Sequence, residues 1–132
     1  MRHAIRGLVL ALMATSIVAA QGRIRPPAFV TCDRNQLTSF TGRVVSLSRG
    51  ADATRIVMDT DESTREQLTI RHPKGDASAW FYRAGQPFVA QDWAVLLPAG
   101  RLRPDARATA WVCSTQTNPK IDWALPTTDR PE

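Results

Sequence analysis

The sequence predicts a mainly β protein: a small five-stranded Greek-key barrel with one helix between its third and fourth strands, preceded by a cleaved signal peptide. Three observations carry this. Five short segments rich in β-branched and aromatic residues are separated by Gly-, Pro-, Asp- and Asn-containing turns. The stretch that breaks their two-residue period, beginning at "GDASAWFYRAG", falls between the third segment and the fourth. The first twenty residues have the basic, apolar and small-residue order of an export signal.

That signal opens with Arg2 and Arg6, runs apolar from Leu8 to Met13 and again from Ile17 to Ala20, and places Val18 and Ala20 at a cleavage point after Ala20. Thr15 and Ser16 interrupt the apolar run, which falls short of the roughly 20 apolar residues of a membrane span. No cysteine stands at the cleavage point, which argues against a lipoprotein. A periplasmic or secreted protein with no membrane span after cleavage is therefore expected. Losing Arg2 and Arg6 lowers the formal net charge from +5 to +3. So modest an excess is a weak argument for a nucleic-acid partner.

Cys32 and Cys113 are the only cysteines. An even pair in an exported chain is expected to close as a disulfide. Chain entropy puts the gain from closing a loop of this length at about 4 kcal/mol. A redox pair would normally be spaced C-x-x-C, which is absent, and His72 is the only histidine left after cleavage to activate a thiol.

Residues 21–35 form an extended lead-in, since Pro26 and Pro27 disfavour regular structure. The domain runs from 36 to 126, with strands expected at 38–48, 54–59, 65–72, 107–114 and 120–125. Gly42 inside the first strand suggests a bulge or a sharp bend. In the third, Leu68 and Ile70 alternate with Gln67, Thr69 and Arg71; in the fifth, Ile121, Trp123 and Leu125 share a face. Asp76 as N-cap and Gly85 as stop bracket a short helix, and "QPFVAQDWAVLL" adds a second helical turn with Pro87 near its start and Phe88, Trp93 and Leu97 as apolar anchors. Residues 127–132 are expected to be a disordered tail.

Three strands, a helix and two strands is the order of an OB-type barrel. A long first strand bent at a glycine suits that architecture, because one strand must serve both halves of the closed sheet. An SH3-like barrel or a small α+β sandwich fits the same order.

Motifs for catalysis are sparse. There is no G-x-S-x-G, no H-E-x-x-H and no phosphate loop. "DTDES" at 59–63 resembles the start of a calcium loop, but the sixth and twelfth positions are Thr64 and Ile70 instead of glycine and a carboxylate, so it reads as a hairpin turn. His72 lacks companions for a metal site and reads as a surface histidine. No metal and no cofactor is expected. Trp80, Phe81, Tyr82, Phe88 and Trp93 read as an apolar plug. Trp111 shares a face with Thr109 and Cys113, opposite Ala108, Ala110 and Val112. Either face could be the inner one, which leaves Trp111 a candidate aromatic ligand contact. Arg43, Arg55 and Arg71, on three successive strands, are a candidate outward anion-binding stripe.

These features favour an exported, non-catalytic binding or accessory module for a protein or cell-envelope component. The alternative is a binder of oligosaccharide, single-stranded nucleic acid or another polyanion on the barrel face. A small hydrolase or redox enzyme is the third reading. The sequence names neither the partner nor the oligomeric state.

Overall fold

A computed structural model of the chain describes residues 25–126. The expected signal peptide, the first residues of the lead-in and the expected tail at 127–132 lie outside the described residues. The strands are β1 (Leu37–Arg49), β2 (Ala53–Thr60), β3 (Arg65–Arg71), β4 (Phe81–Arg83), β5 (Gln86–Pro87), β6 (Arg107–Cys113) and β7 (Lys120–Ala124); one helix, α1 (Ala90–Leu96), lies between β5 and β6. Each end of the five long strands falls within one residue of its expected position.

The strands form one sheet in the order β3-β2-β1-β6-β7-β4-β5, antiparallel except where β4 runs parallel to β7. The sheet is mainly β but open, with β3 and β5 at its edges, so the five-stranded closed barrel expected from the sequence is not what forms. β4 takes the free side of β7 that closure would require. Asn118, in the turn before β7, links the chain to β3 at one point. Its Nδ2 donates to the Arg71 carbonyl (2.7 Å) and its Oδ1 accepts from the Arg71 N–H (2.9 Å), as a neighbouring strand would.

β1 serves both halves of the sheet. Leu37 to Arg43 pair with β6, and Gly42 to Arg49 pair with β2. The change of partner is made at Gly42, where a Cβ would stand 2.1 Å from the Asp59 carbonyl oxygen. Only glycine admits so close an approach. The bulge that the sequence suggests at Gly42 lies three residues on, where Val45 is the extra residue between the Val44–Met58 and Ser46–Val57 pairs. Together they coil β1 around the core.

The segment between β3 and α1 differs from expectation. In place of a helix there is one 3-10 turn, Ser78–Trp80, and then a tight hairpin of β4 and β5. Its two turn residues, Ala84 (φ 50°) and Gly85 (φ 81°), both lie in the left-handed region, as a type I′ hairpin requires. Phe81 is buried in the core while Tyr82 points to the other face. That is the alternation of a strand, which the run Trp-Phe-Tyr does not display as polarity. Pro87 belongs to β5, and α1 begins at Ala90. There Asp92 accepts from the Val89 N–H (2.9 Å) and pairs with Arg83 (2.9 Å), which ties the helix start to β4.

The core lies inside the coiled sheet under α1. Val44, Ile56, Met58, Ile70, Phe81, Leu96, Ala106, Ala108, Ala110, Ile121 and Trp123 form it. Phe81 is at its centre, stacked on Trp93 (ring centroids 5.0 Å) and edge-on to Phe88 (5.4 Å) and Trp123 (5.3 Å). Each such pair adds about 0.5–1.5 kcal/mol to the burial itself.

Candidate functional site

The inner face of β6 is lined by Ala108 and Ala110, whose small side chains leave room for Trp123 and Phe81. Trp111 therefore points outward, yet it is only 4% exposed. Its cover is the lead-in. Cys32 is bonded to Cys113 with Cα atoms 6.1 Å apart, as expected from the sequence. Phe29 lies flat on Tyr82 (centroids 3.8 Å, planes 10° apart), and Lys120 Nζ, on the residue opposite Trp111, donates to the Phe29 carbonyl. Gln116 Nε2 donates to Thr31 Oγ1 (3.4 Å). Residues 25–32 are thus a strap across the outer face of β6, β7 and β4, with a β-turn from Pro27 to Val30 that presents Phe29. The Trp111 Nε1–H beneath it has no acceptor among the described residues. Beside the strap Asp122, paired with Thr109 and Tyr82, has its carboxyl pushed above the usual carboxylate range by burial.

The outer face of β1, β2 and β3 has no such cover. Arg43, Arg55 and Arg71 all lie on it and are all exposed. The structure brings two of them together. Arg55 pairs with Thr69, two residues before Arg71, a diagonal neighbour at about 7–8 Å. Neither makes an ion pair among the described residues, and Arg55 borders a shallow hollow lined by Ser48, Gly50 and Ala53. Arg43 stands apart, opposite Asp59, four residues along β2 from Arg55 and so about 13 Å away. There the charges are mixed. Asp59 accepts from Arg65 (2.7 Å) and Asp61 from Arg107 (2.6 Å). The hydrogen bond from Arg65, with the charges of Arg65 and Arg43, holds the Asp59 carboxyl below its ordinary range. "DTDES" is a hairpin turn closed by Thr60 and Thr64, whose hydroxyls are 2.7 Å apart.

His72 is buried, not on the surface. Its Nε2 is 2.8 Å from Thr54 Oγ1, and the two residues are 5% and 0% exposed. The inward alternation of Leu68 and Ile70 carries on past the end of β3, so the sequence held the signal. A hydroxyl beside an imidazole is the pairing of a nucleophile and its base. Here both are buried in the core. Asp76 and Ser78 lie nearby but are engaged with each other and with Trp93, whose Nε1 donates to Ser78 Oγ (2.7 Å). Among the described residues no three His, Cys, Asp or Glu side chains converge on a point that could hold a metal ion, and no helix is long and apolar enough to cross a membrane. The disulfide is compatible with an extracellular or periplasmic protein.

A comparison with protein-family models, with curated proteins and with solved structures finds no match to this chain.

Proposed function

We propose that this is an exported, non-catalytic binding or accessory module with an OB-like strand order, which presents the outer face of β1, β2 and β3 to a protein or cell-envelope component. The observation that carries this reading is the asymmetry of the two outer faces. One is clad by the chain's own strap; the other exposes Ser48, Arg55, Thr69 and Arg71 on strands held rigid by pairing. Paired strands with exposed polar side chains suit recognition better than chemistry, which needs groups of matched acidity converging on a reacting atom. The test is affinity capture from the envelope fraction with wild-type protein and with an R55E/R71E variant, quantified against R101E as a control. Species captured by the wild type and R101E but lost with R55E/R71E support the reading. Identical capture by all three removes it.

The second reading is a binder of oligosaccharide, single-stranded nucleic acid or another polyanion. Arg55 and Arg71, adjacent and without a carboxylate partner among the described residues, favour it, because two guanidinium forks can grip phosphate, sulfate or carboxylate groups bidentately. Titration of wild type and the R43A/R55A/R71A variant against heparin and single-stranded DNA at two salt concentrations decides. Salt-sensitive binding lost in the variant supports it; equal binding, or none, eliminates it.

A further inference from the structure

We infer that the outer face of β6, β7 and β4 is a second binding surface, for a short peptide turn carrying an aromatic side chain, and that the Phe29 ring of the strap occupies it in cis, held there by the Cys32–Cys113 disulfide. It is a different face from the one proposed above, so either assignment can fail alone.

The strap itself shows what the face accepts. Tyr82 takes a flat aromatic ring, Phe29, and Lys120 takes the carbonyl of the same residue. A flat ring and a main-chain carbonyl, presented by a turn, are features of a peptide and not of a particular sequence. The face also holds a donor without an acceptor among the described residues, Trp111 Nε1, in a side chain only 4% exposed. A buried donor without an acceptor is unfavourable, and a ligand offering one more carbonyl would remedy it.

The strap is held lightly apart from its covalent bond. Among the described residues its one backbone–backbone hydrogen bond, Val30 N–H to the Pro27 carbonyl, is internal, and its non-covalent ties to the sheet side are the Phe29 ring on Tyr82, Lys120 on the Phe29 carbonyl and Gln116 on Thr31. The disulfide keeps Phe29 at high effective concentration over Tyr82 and so excludes a competitor. Burial sets the order of opening. Cys113 is 4% exposed, whereas Cys32 is partly accessible. The thiolate of a dithiol reductant attacks Cys32 Sγ, and Cys113 leaves as a thiolate and takes a proton. The reductant's second thiol then displaces Cys32 as the free thiol and closes the reductant's own disulfide. Two electrons and two protons pass to the protein. The strap can then lift, with the turn at 33–36 as its hinge.

The test uses the full chain and a fluorescent synthetic peptide of residues 25–31, RPPAFVT. Anisotropy is read with oxidised wild type, with wild type reduced by dithiothreitol, and with oxidised F29A, which keeps the disulfide and vacates Tyr82. The inference expects binding to reduced wild type and to oxidised F29A at least tenfold tighter than to oxidised wild type. It also expects that binding to be lost when the peptide's own phenylalanine is alanine, and binding to reduced protein, where the strap's carbonyl is withdrawn from Lys120, to weaken at least fivefold in K120A. Should reduction unfold the chain, as far-UV circular dichroism would show, oxidised F29A alone decides. Equal affinity for oxidised wild type and F29A overturns the inference. So does no binding to F29A, or binding indifferent to the peptide's aromatic ring.

Discussion

On the β6–β7–β4 side of the sheet the outward residues Tyr82, Trp111 and Cys113 are at least nine-tenths buried, whereas on the β1–β2–β3 side Arg43, Ser48, Arg55 and Arg71 stand in solvent. Both sides close over the same interior. The difference comes from eight residues of lead-in and one covalent bond. A strand clad on both faces can be apolar at every position, as in parallel sheets, while a strand with one wet face must alternate. β6 and β4 are of the first kind, β2 and β3 of the second. The clad side is built as a three-layer structure and the bare side as a two-layer one. Function is expected where surface has been left unspent, or where a cover can be taken off.

The shared interior gives the largest expected effect and the sharpest control. Trp123, 2% exposed and edge-on to Phe81, belongs to the core under both halves. Trp123→Ala should cost about 3–5 kcal/mol in a denaturant titration, with amide protection falling on β1 and β2 as well as on β6 and β7. A loss under about 1 kcal/mol, or one confined to the clad side, would show that the halves do not share one core.

Removing the staple tests the clad side alone. A Cys32→Ser/Cys113→Ser double variant should lose about 2–4 kcal/mol. Tryptophan emission should shift to the red as Trp111 is uncovered, while hydrogen exchange in β2 and β3 follows the global change only. If β3 amides open as fast as those of β6, the strap stabilises the whole domain and not one face.

This division also explains what the sequence disclosed and what it concealed. β2 and β3 were legible because water on one side enforces alternation: Ile56 and Met58 against Arg55 and Asp59, Ile70 against Arg71. The disulfide was legible because two cysteines allow only one intramolecular pairing. Trp111 was ambiguous because its outer face is as dry as its inner one. The same cladding hid β4. Phe81 faces the core and Tyr82 faces Phe29, so two adjacent aromatic residues on opposite faces read as a helical cluster. Polarity cannot mark a face covered by a segment distant in sequence. The open sheet was illegible for a related reason: a three-residue strand took the place beside β7 that closure would have used. Arg43, Arg55 and Arg71 are exposed on one face, but their register was not readable, since the bulge at Val45 shifts the partners of everything after it.

The junction between the halves gives the next effect. Gly42 is where β1 changes partner, and its missing side chain is the space occupied by the Asp59 carbonyl. Gly42→Ala should force β1 and β2 apart at a cost of about 1–3 kcal/mol or more, without touching the strap. The thiol titre of unfolded, unreduced protein should stay at zero, and protection should fall first between Gly42 and Asp59. If the variant matches wild type in stability, the close approach is not rigid and the partner change has another cause.

The smallest expected effect contrasts the two sides through one carboxylate on each. Burial beside the strap raises the Asp122 carboxyl above its unfolded value, so the fold prefers it protonated. Its contribution is most favourable below the unfolded carboxylate range, near pH 3.9, and declines as pH rises through the native value. On the bare side the Arg65 hydrogen bond depresses Asp59, so the fold prefers it ionised. Its contribution is present above the unfolded range and is lost as pH falls through the native value. The two asparagine variants should therefore depart from wild type in opposite directions at neutral pH. Asp122→Asn should be the more stable because the desolvated charge is gone, and Asp59→Asn slightly the less stable, its exposed pair being weak and screened by salt. As pH falls, Asp122 takes up its proton first, so the Asp122→Asn curve should converge on wild type, whereas Asp59, held below the usual range, follows only in stronger acid. Urea titrations at pH 3 and pH 7 at low salt measure this. If Asp122→Asn were destabilising at pH 7, the carboxylate would have a partner that offsets its burial, and the strap would be holding a charge in place instead of merely covering it.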